Sequence, residues 1–298
     1  MRHVPLIHHP DYDAASVSDD HRFPMRKYSL VAARLRARGF VLETPQHISQ
    51  TALQTAHDPA YVRGVLTSDL DPKAARRVGF EMTPAIAART RASVGGTELA
   101  ARRALETGCA VNLAGGSHHA DYHGGAGFCV FNDVAVAALS LLAAQRVARI
   151  AVIDLDVHHG DGTASIFADD SRVFTASLHC DANWPRIKPP SDLDIGLEKS
   201  TGDDAYLGVA RELVEATLAQ FSPELVFYNA GVDPHVDDRL GLLNVSDQGL
   251  QARDRLVARA CADRSIPVTG VLGGGYSKNP EAIAMRHTYL VDAFNALL

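Results

Sequence analysis

Residues 153–162 read IDLDVHHGDG, an aliphatic run that breaks into Asp154, Asp156, His158 and Asp161. Burying these groups without partners would cost several kcal/mol each, so either solvent covers them or a cation sits among them. Asp156 and His158 are two apart, and in extended backbone such side chains leave on the same side. A carboxylate and an imidazole converging from one strand end make two metal ligands. Asp233, which ends another apolar run, can supply the third. Two carboxylates and one neutral imidazole balance a divalent cation and leave a coordination position open for water. That is the pattern of a catalytic metal site, since a structural site is closed by four protein ligands. An isolated Asp-x-His would read as a solvated strand end; Asp233 tips the balance toward metal.

Other residue types complete a reaction. His118 and His119 follow Gly115, Gly116 and Ser117, where they are candidates for moving protons. Asp154 and Asp161 are surplus to a three-ligand metal shell and can each orient one imidazole, fixing its tautomer and raising its basicity. Tyr276 follows Gly273, Gly274 and Gly275; the glycines permit close backbone approach and the phenol can donate to an oxygen that becomes negative. A metal lowers the pKa of bound water from 15.7 toward about 7, but the water still needs a base. Together these describe attack of water on a carbonyl, with amide hydrolysis as the natural reaction class.

These residues need elements to position them. Short apolar runs occur at 109–116, 149–157, 172–179, 224–233 and 267–276, each β-rich and nearly continuous in apolar character, as in parallel strands covered on both faces. Helical spacing is expected over 132–145, 204–220, 246–264 and 280–297, with Asn132, Ser246 and Pro280 as start signals. The alternation predicts one domain over 1–298, an α/β fold with a single open, mostly parallel sheet flanked by helices on both faces. The polar clusters all follow strands at their carboxyl ends, the edge where open α/β sheets bind ligands. The stretch 180–203 reads as a long irregular loop, and it holds Trp184, the sole tryptophan.

Composition bounds the remainder. The 298 residues are 46% hydrophobic with a net charge of −6, which argues for a globular chain and against a nucleic-acid partner. An acidic rim could attract basic peptides. No run approaches the roughly 18 apolar residues of a membrane span, and the first residues do not read as a signal peptide. The cysteines, Cys109, Cys129, Cys180 and Cys261, form no CxxC pair. A cytoplasmic setting is expected.

The blocks GGSHHADYHGGAGFCVFND, IDLDVHHGDG, YNAGVDPHVDDRLG and GGGY resemble, in order and spacing, the signature blocks of the histone deacetylase superfamily. The approach RTRASVGGTELAARRALETG and the compact length look most like the class IV branch and its bacterial relatives, although Asp161 stands as in class I and II enzymes. The resemblance implies an arginase-like fold and a zinc or iron(II) ion on Asp156, His158 and Asp233. It also implies His118 and His119 as the proton-handling pair and Tyr276 polarising the acyl carbonyl. Gly127, Phe128 and Trp184 would line an acyl-lysine tunnel, with Gly274 among the substrate contacts. Potassium is expected beside the metal at positions resembling Asp154, Asp156, His158, Ser177 and Leu178. Arg26 resembles an arginine near an internal product channel. The implied activity is zinc-dependent deacylation of N-acyl-lysine.

Three rivals remain at this point. A ureohydrolase would need a further carboxylate just after the Asp-x-His pair, where Gly160 stands. An acylpolyamine amidohydrolase would take a small acylated amine. A non-catalytic acyl-lysine binding module would be expected to lack a ligand, a histidine or Tyr276.

Overall fold

The computed structural model describes residues 3–14, 17, 18 and 20–298. Its strands are β1 (Leu6–Ile7), β2 (Leu42–Glu43), β3 (Cys109–Asn112), β4 (Ile150–Asp154), β5 (Val173–Cys180), β6 (Leu193–Leu197), β7 (Leu225–Asn229) and β8 (Val268–Val271). They form one sheet in the order β2-β1-β3-β8-β7-β4-β5-β6, and every neighbouring pair is parallel. All five strands expected from the sequence are present. β6 is a correction: it lies inside the stretch expected to be irregular. Its alternating half-buried and exposed residues and its place at the sheet edge explain why the sequence LDIGL lacks a core strand's apolar continuity.

The helices are α1 (Lys27–Ala37), α2 (Gln50–Leu53), α3 (Pro59–Leu66), α4 (Pro72–Val78), α5 (Pro84–Thr107), α6 (Asp133–Ala143), α7 (Asp161–Phe167), α8 (Asp203–Phe221), α9 (Asp247–Ala262) and α10 (Pro280–Asn295). Their starts follow from local chemistry. Asp58, Asp71 and Asn279 cap helices that have proline in the first turn, while Asn132 and Ser246 accept backbone N–H groups of α6 and α9. α5 packs on α6 and β3, while α8, α9, α10 and α1 pack in succession. Both sheet faces are thereby covered, and β3, β4, β7 and β8 are buried at every position. The four cysteines are buried and unbridged. Among the described residues no helix is long and apolar enough to cross a membrane.

Because the strands are parallel, their carboxyl ends share one edge. β3 and β4 are consecutive in sequence but separated in the sheet by β8 and β7. The crevice at this reversal gathers the segments after β3, β4, β7 and β8.

Candidate active site

Asp156, His158 and Asp233 converge at that edge, buried, with ligand atoms within 4.8 Å of one another. His158 Nδ1 lies 3.0 Å from Asp156 Oδ1 and 3.1 Å from Asp233 Oδ2. The opposite oxygens are held by backbone: Gly274 N–H donates to Asp156 Oδ2 at 2.7 Å, and Val157 N–H donates to Asp233 Oδ1 at 3.0 Å. Gly274 is glycine for a steric reason, since a Cβ there would stand 2.0 Å from Asp233 Oδ2 and 2.7 Å from Asp156 Oδ2.

The electrostatics of this group have one cause, two carboxylates facing each other in a dry site. Burial, then the charge of Asp156, raises the Asp233 carboxyl to about 7. Burial pulls His158 down, but hydrogen bonds to Asp156 and Asp233 outweigh it and raise the imidazole to about 10. Burial also opposes ionisation of Asp156, yet His118 and His158 hold it well below the carboxylate range. The group is short of positive charge, and a divalent ion held by His158 and both carboxylates would supply it. The donor set fits zinc or iron(II).

Two further His/Asp groups, His159–His179–Asp194 and His9–Asp11–His47, also bring ligand atoms within 4.8 Å, but neither lines the cavity described below. A Cβ at Gly160 would stand 2.6 Å from Asp154 Oδ2, leaving no room for the extra carboxylate of a binuclear centre.

The turn after β3 brings both histidines to this group. Asp133, in the first turn of α6, accepts from Ser117 N–H at 2.8 Å and Gly116 N–H at 3.2 Å. Gly116 has φ +81°, and a Cβ there would meet Asn229 Oδ1 at 2.5 Å and Gly273 Cα at 2.6 Å. His118 Nδ1 lies 2.7 Å from Asp154 Oδ2, and His119 Nδ1 lies 2.5 Å from Asp161 Oδ1. Burial lowers both imidazoles, but Asp154 and Asp156 raise His118 to about 9. For His119, burial and the neighbouring His118 prevail and bring it to about 3. The two rings, 4.0 Å apart, thus sit in opposite electrostatic settings.

A cavity of about 370 Å³ opens over this constellation, and His119, His158 and Tyr276 reach its wall. Gly127, Phe128 and Trp184 also line it, while Gly274 lies deeper, against the two carboxylates. The Trp184 and His119 rings are 4.5 Å apart. A Cβ on Gly127 would come within 2.8 Å of the Trp184 ring. Of the residues expected around potassium, Asp154 and Ser177 are register partners in β4 and β5 and Leu178 follows buried; Ser177 Oγ also contacts His179 Nδ1 at 3.0 Å.

One expectation is corrected. Arg26 is exposed and lines a surface pocket with Arg239 and Lys278. The buried cations behind the glycine segment are instead its neighbour Lys27, whose Nζ donates to Gly273 O at 2.9 Å, and Arg89, which donates to Tyr28 Oη at 2.9 Å. Arg89 borders an internal void of about 20 Å³, room for one water, together with His118 and Tyr276. Arg26 is the N-cap residue of α1 and Lys27 its first residue, and the motif alone does not say which of the two turns inward.

Sequence reasoning also missed Asp238, which accepts the backbone N–H of Tyr276 at 2.6 Å, and the rim residues Arg22, Leu240 and Leu242. Asp238 lies within the block VDPHVDDRLG, but nothing in its spacing marks it off from the exposed Asp237 beside it.

Comparison with known proteins agrees with this architecture. The family model of the histone deacetylase domain matches residues 21–293. The chain is 44% identical over 290 residues to an uncharacterised protein of Picosynechococcus sp., covering 96% of both chains. It is 31% identical to histone deacetylase 2 of Arabidopsis thaliana over 93% of this chain and 75% of that one. It is 28% identical to the acetoin utilization protein AcuC of Bacillus subtilis over 93% and 78%. In fold it is similar to the crystal structure of the HDA15 HD domain, with a TM-score of 0.83 and 22% identity over 99% of this chain and 88% of that one. The parallel sheet, the blocks at its carboxyl edge and the match over nearly the whole length lead to one conclusion: this chain belongs to the histone deacetylase family.

Proposed function

We propose that this protein is a metal-dependent amidohydrolase that removes acyl groups from N-acyl-lysine in peptides or proteins. The observation carrying this reading is that one cavity wall presents His158 of the three-ligand group, a histidine backed by a carboxylate, and the Tyr276 side chain. A zinc or iron(II) ion held by Asp156, His158 and Asp233 would supply Lewis acidity toward the acyl carbonyl and toward a water molecule.

The chain's own residues then divide the work. Gly127, Phe128 and Trp184 enclose the lysine methylenes and exclude water from the reacting amide. His119 Nδ1–H donates to Asp161, which leaves Nε2 as the basic nitrogen to take a proton from water and return it to the departing amine. His118, paired with Asp154, holds positive charge behind the site. The Tyr276 hydroxyl donates to the carbonyl oxygen as it gains negative charge. Potassium is proposed beside Asp154, Ser177 and Leu178.

The test is hydrolysis of a panel of acyl-lysine peptides, from acetyl to myristoyl, by protein reconstituted with zinc or iron(II). Amine release that stops with a chelator and returns with the ion is expected. A metal-loaded, folded protein that cleaves none of them would refute the reading.

A further inference from the structure

The amine that leaves must project through the cavity mouth, so its neighbouring groups meet the rim. One side of the rim is apolar: Trp184 is 48% exposed and Leu242 39% exposed, with Leu240 beside them. Another part is Arg22. Among the described residues no carboxylate lines this cavity, because Asp156 and Asp233 lie buried behind His158. Apart from its histidines, the lining therefore carries one ionisable group besides the Tyr276 phenol, the Arg22 guanidinium.

Arg22 is exposed, and among the described residues its guanidinium has no ion pair or hydrogen bond. Its backbone is nevertheless fixed. Arg239 donates to Arg22 O at 3.3 Å and, through Nε, to Tyr276 O at 2.7 Å. The guanidinium is thus rooted on the same bridge that holds the phenol, with its donors left over.

We infer that Arg22 is a specificity determinant that favours acyl-lysines flanked by an acidic group and disfavours acylated polyamines. The inference rests on the amidohydrolase reading of the same site. An acylpolyamine keeps at least one ammonium, which finds no carboxylate in the cavity lining and meets the like charge of Arg22. A neighbouring Asp or Glu meets a planar fork of donors suited to bidentate pairing. The rim is wet, so the effect is modest, falls on capture more than on turnover, and is screened by salt.

The experiment compares two acetyl-lysine peptides that differ only in carrying Asp or Lys beside the modified residue, together with an acetylated diamine. The metal-loaded full chain is assayed as wild type, Arg22→Gln and Arg22→Glu. The wild type should prefer the Asp peptide by about tenfold in kcat/KM, mainly through KM, with the preference shrinking at high salt. Arg22→Gln should lose the preference, and Arg22→Glu should reverse it and gain activity on the acetylated diamine. Thermal melting checks that the exposed substitutions leave the fold intact. Equal wild-type rates on the two peptides, or a preference that survives Arg22→Glu, would overturn the inference while leaving the amidohydrolase reading in place. Failure of the metal-loaded wild type on every acylated substrate would overturn both.

Discussion

Asp238 Oδ2 accepts the Tyr276 backbone N–H at 2.6 Å, while Oδ1 of the same carboxylate accepts the N–H groups of Leu240 at 2.9 Å and Gly241 at 3.0 Å. One carboxylate therefore ties the segment carrying the phenol to the segment carrying part of the rim. Asp238→Asn keeps the size but turns a donor toward one of the N–H groups it faces. We expect stability to fall by about 1–3 kcal/mol, the cost of an unpaired buried polar group. Turnover should fall about tenfold as Tyr276 loses its bearing, with metal content unchanged. Denaturant unfolding, elemental analysis and steady-state kinetics on an acyl-lysine peptide read the three effects; wild-type turnover in a destabilised variant would leave Asp238 a purely structural role.

Tyr276→Phe deletes only the hydroxyl from a side chain that is 8% exposed and packs near Phe23 and Phe128. Loss of one oxyanion donor costs roughly a hundred- to a thousandfold in rate. Metal content and melting temperature should stay near wild type, and a hydroxamate inhibitor should lose only moderate affinity. Undiminished turnover would leave the phenol without a catalytic role, and metal loss or melting would make it structural.

The histidine pair should be unequal. His119 reaches the cavity wall, whereas His118 sits behind it between Asp154 and Asn229. His119→Ala should therefore cost more in turnover than His118→Ala, with metal retained in both. General acid–base groups are typically worth about a hundred- to ten-thousandfold. A larger loss at His118 would reverse the assignment, and wild-type rates in both would end it.

What the sequence made legible follows from what each signal measures. Apolar continuity found β3, β4, β5, β7 and β8 because those strands are buried on both faces, and the polar residues after them were conspicuous for interrupting it. The clustering of Asp156, His158 and Asp233 and the two His–Asp contacts could be anticipated because several such polar groups end apolar runs at one sheet edge, where a single one would read as a solvated strand end. β1 and β2, two residues each, carry too little pattern to detect, and β6 hides its alternation in polar sequence. Lys27 was invisible as a buried residue because a lysine on a helix ordinarily faces water; its burial depends on Gly273 O and the Tyr276 ring, which come from a distant segment, together with the nearby rings of Phe23 and Tyr28. Arg22 was missed for the converse reason, since an exposed arginine carries no signal until the cavity beside it is seen.

His57 sets a pH dependence of stability away from the metal group. Its Nδ1–H donates to Asp121 O at 2.8 Å, and its Nε2 accepts from Asn132 N–H at 2.9 Å, so the ring is neutral. Burial, opposed by Asp121, lowers it from 6.5 to about 4. Between those values the unfolded chain binds a proton that the folded chain does not, so stability is full above pH 6.5 and is lost as pH falls toward 4. At 1.4 kcal/mol per pKa unit the loss is about 3 kcal/mol. An NMR titration should show the His57 ring unprotonated down to pH 5, and a normal midpoint near 6.5 would contradict it.

Gly274→Ala tests whether backbone geometry builds the metal site. The glycine N–H fixes Asp156 Oδ2 at 2.7 Å, and its missing side chain leaves space for both carboxylates. An added methyl would stand 2.0 Å from Asp233 Oδ2, far inside van der Waals contact, and both Asp233 and the neighbouring backbone are buried and cannot withdraw cheaply. The carboxylate must swing away from His158 Nδ1, opening the three-ligand group. Elemental analysis of the purified variant should show the catalytic ion largely lost, as for Asp233→Ala, which removes a ligand outright. The two variants should differ in fold stability: alanine at 233 relieves crowding between two carboxylates, whereas alanine at 274 adds to it, so Gly274→Ala should melt lower than Asp233→Ala in the presence of chelator. Full metal occupancy and wild-type turnover in Gly274→Ala would show that the loop yields, and that the ligands rather than the glycine decide the site.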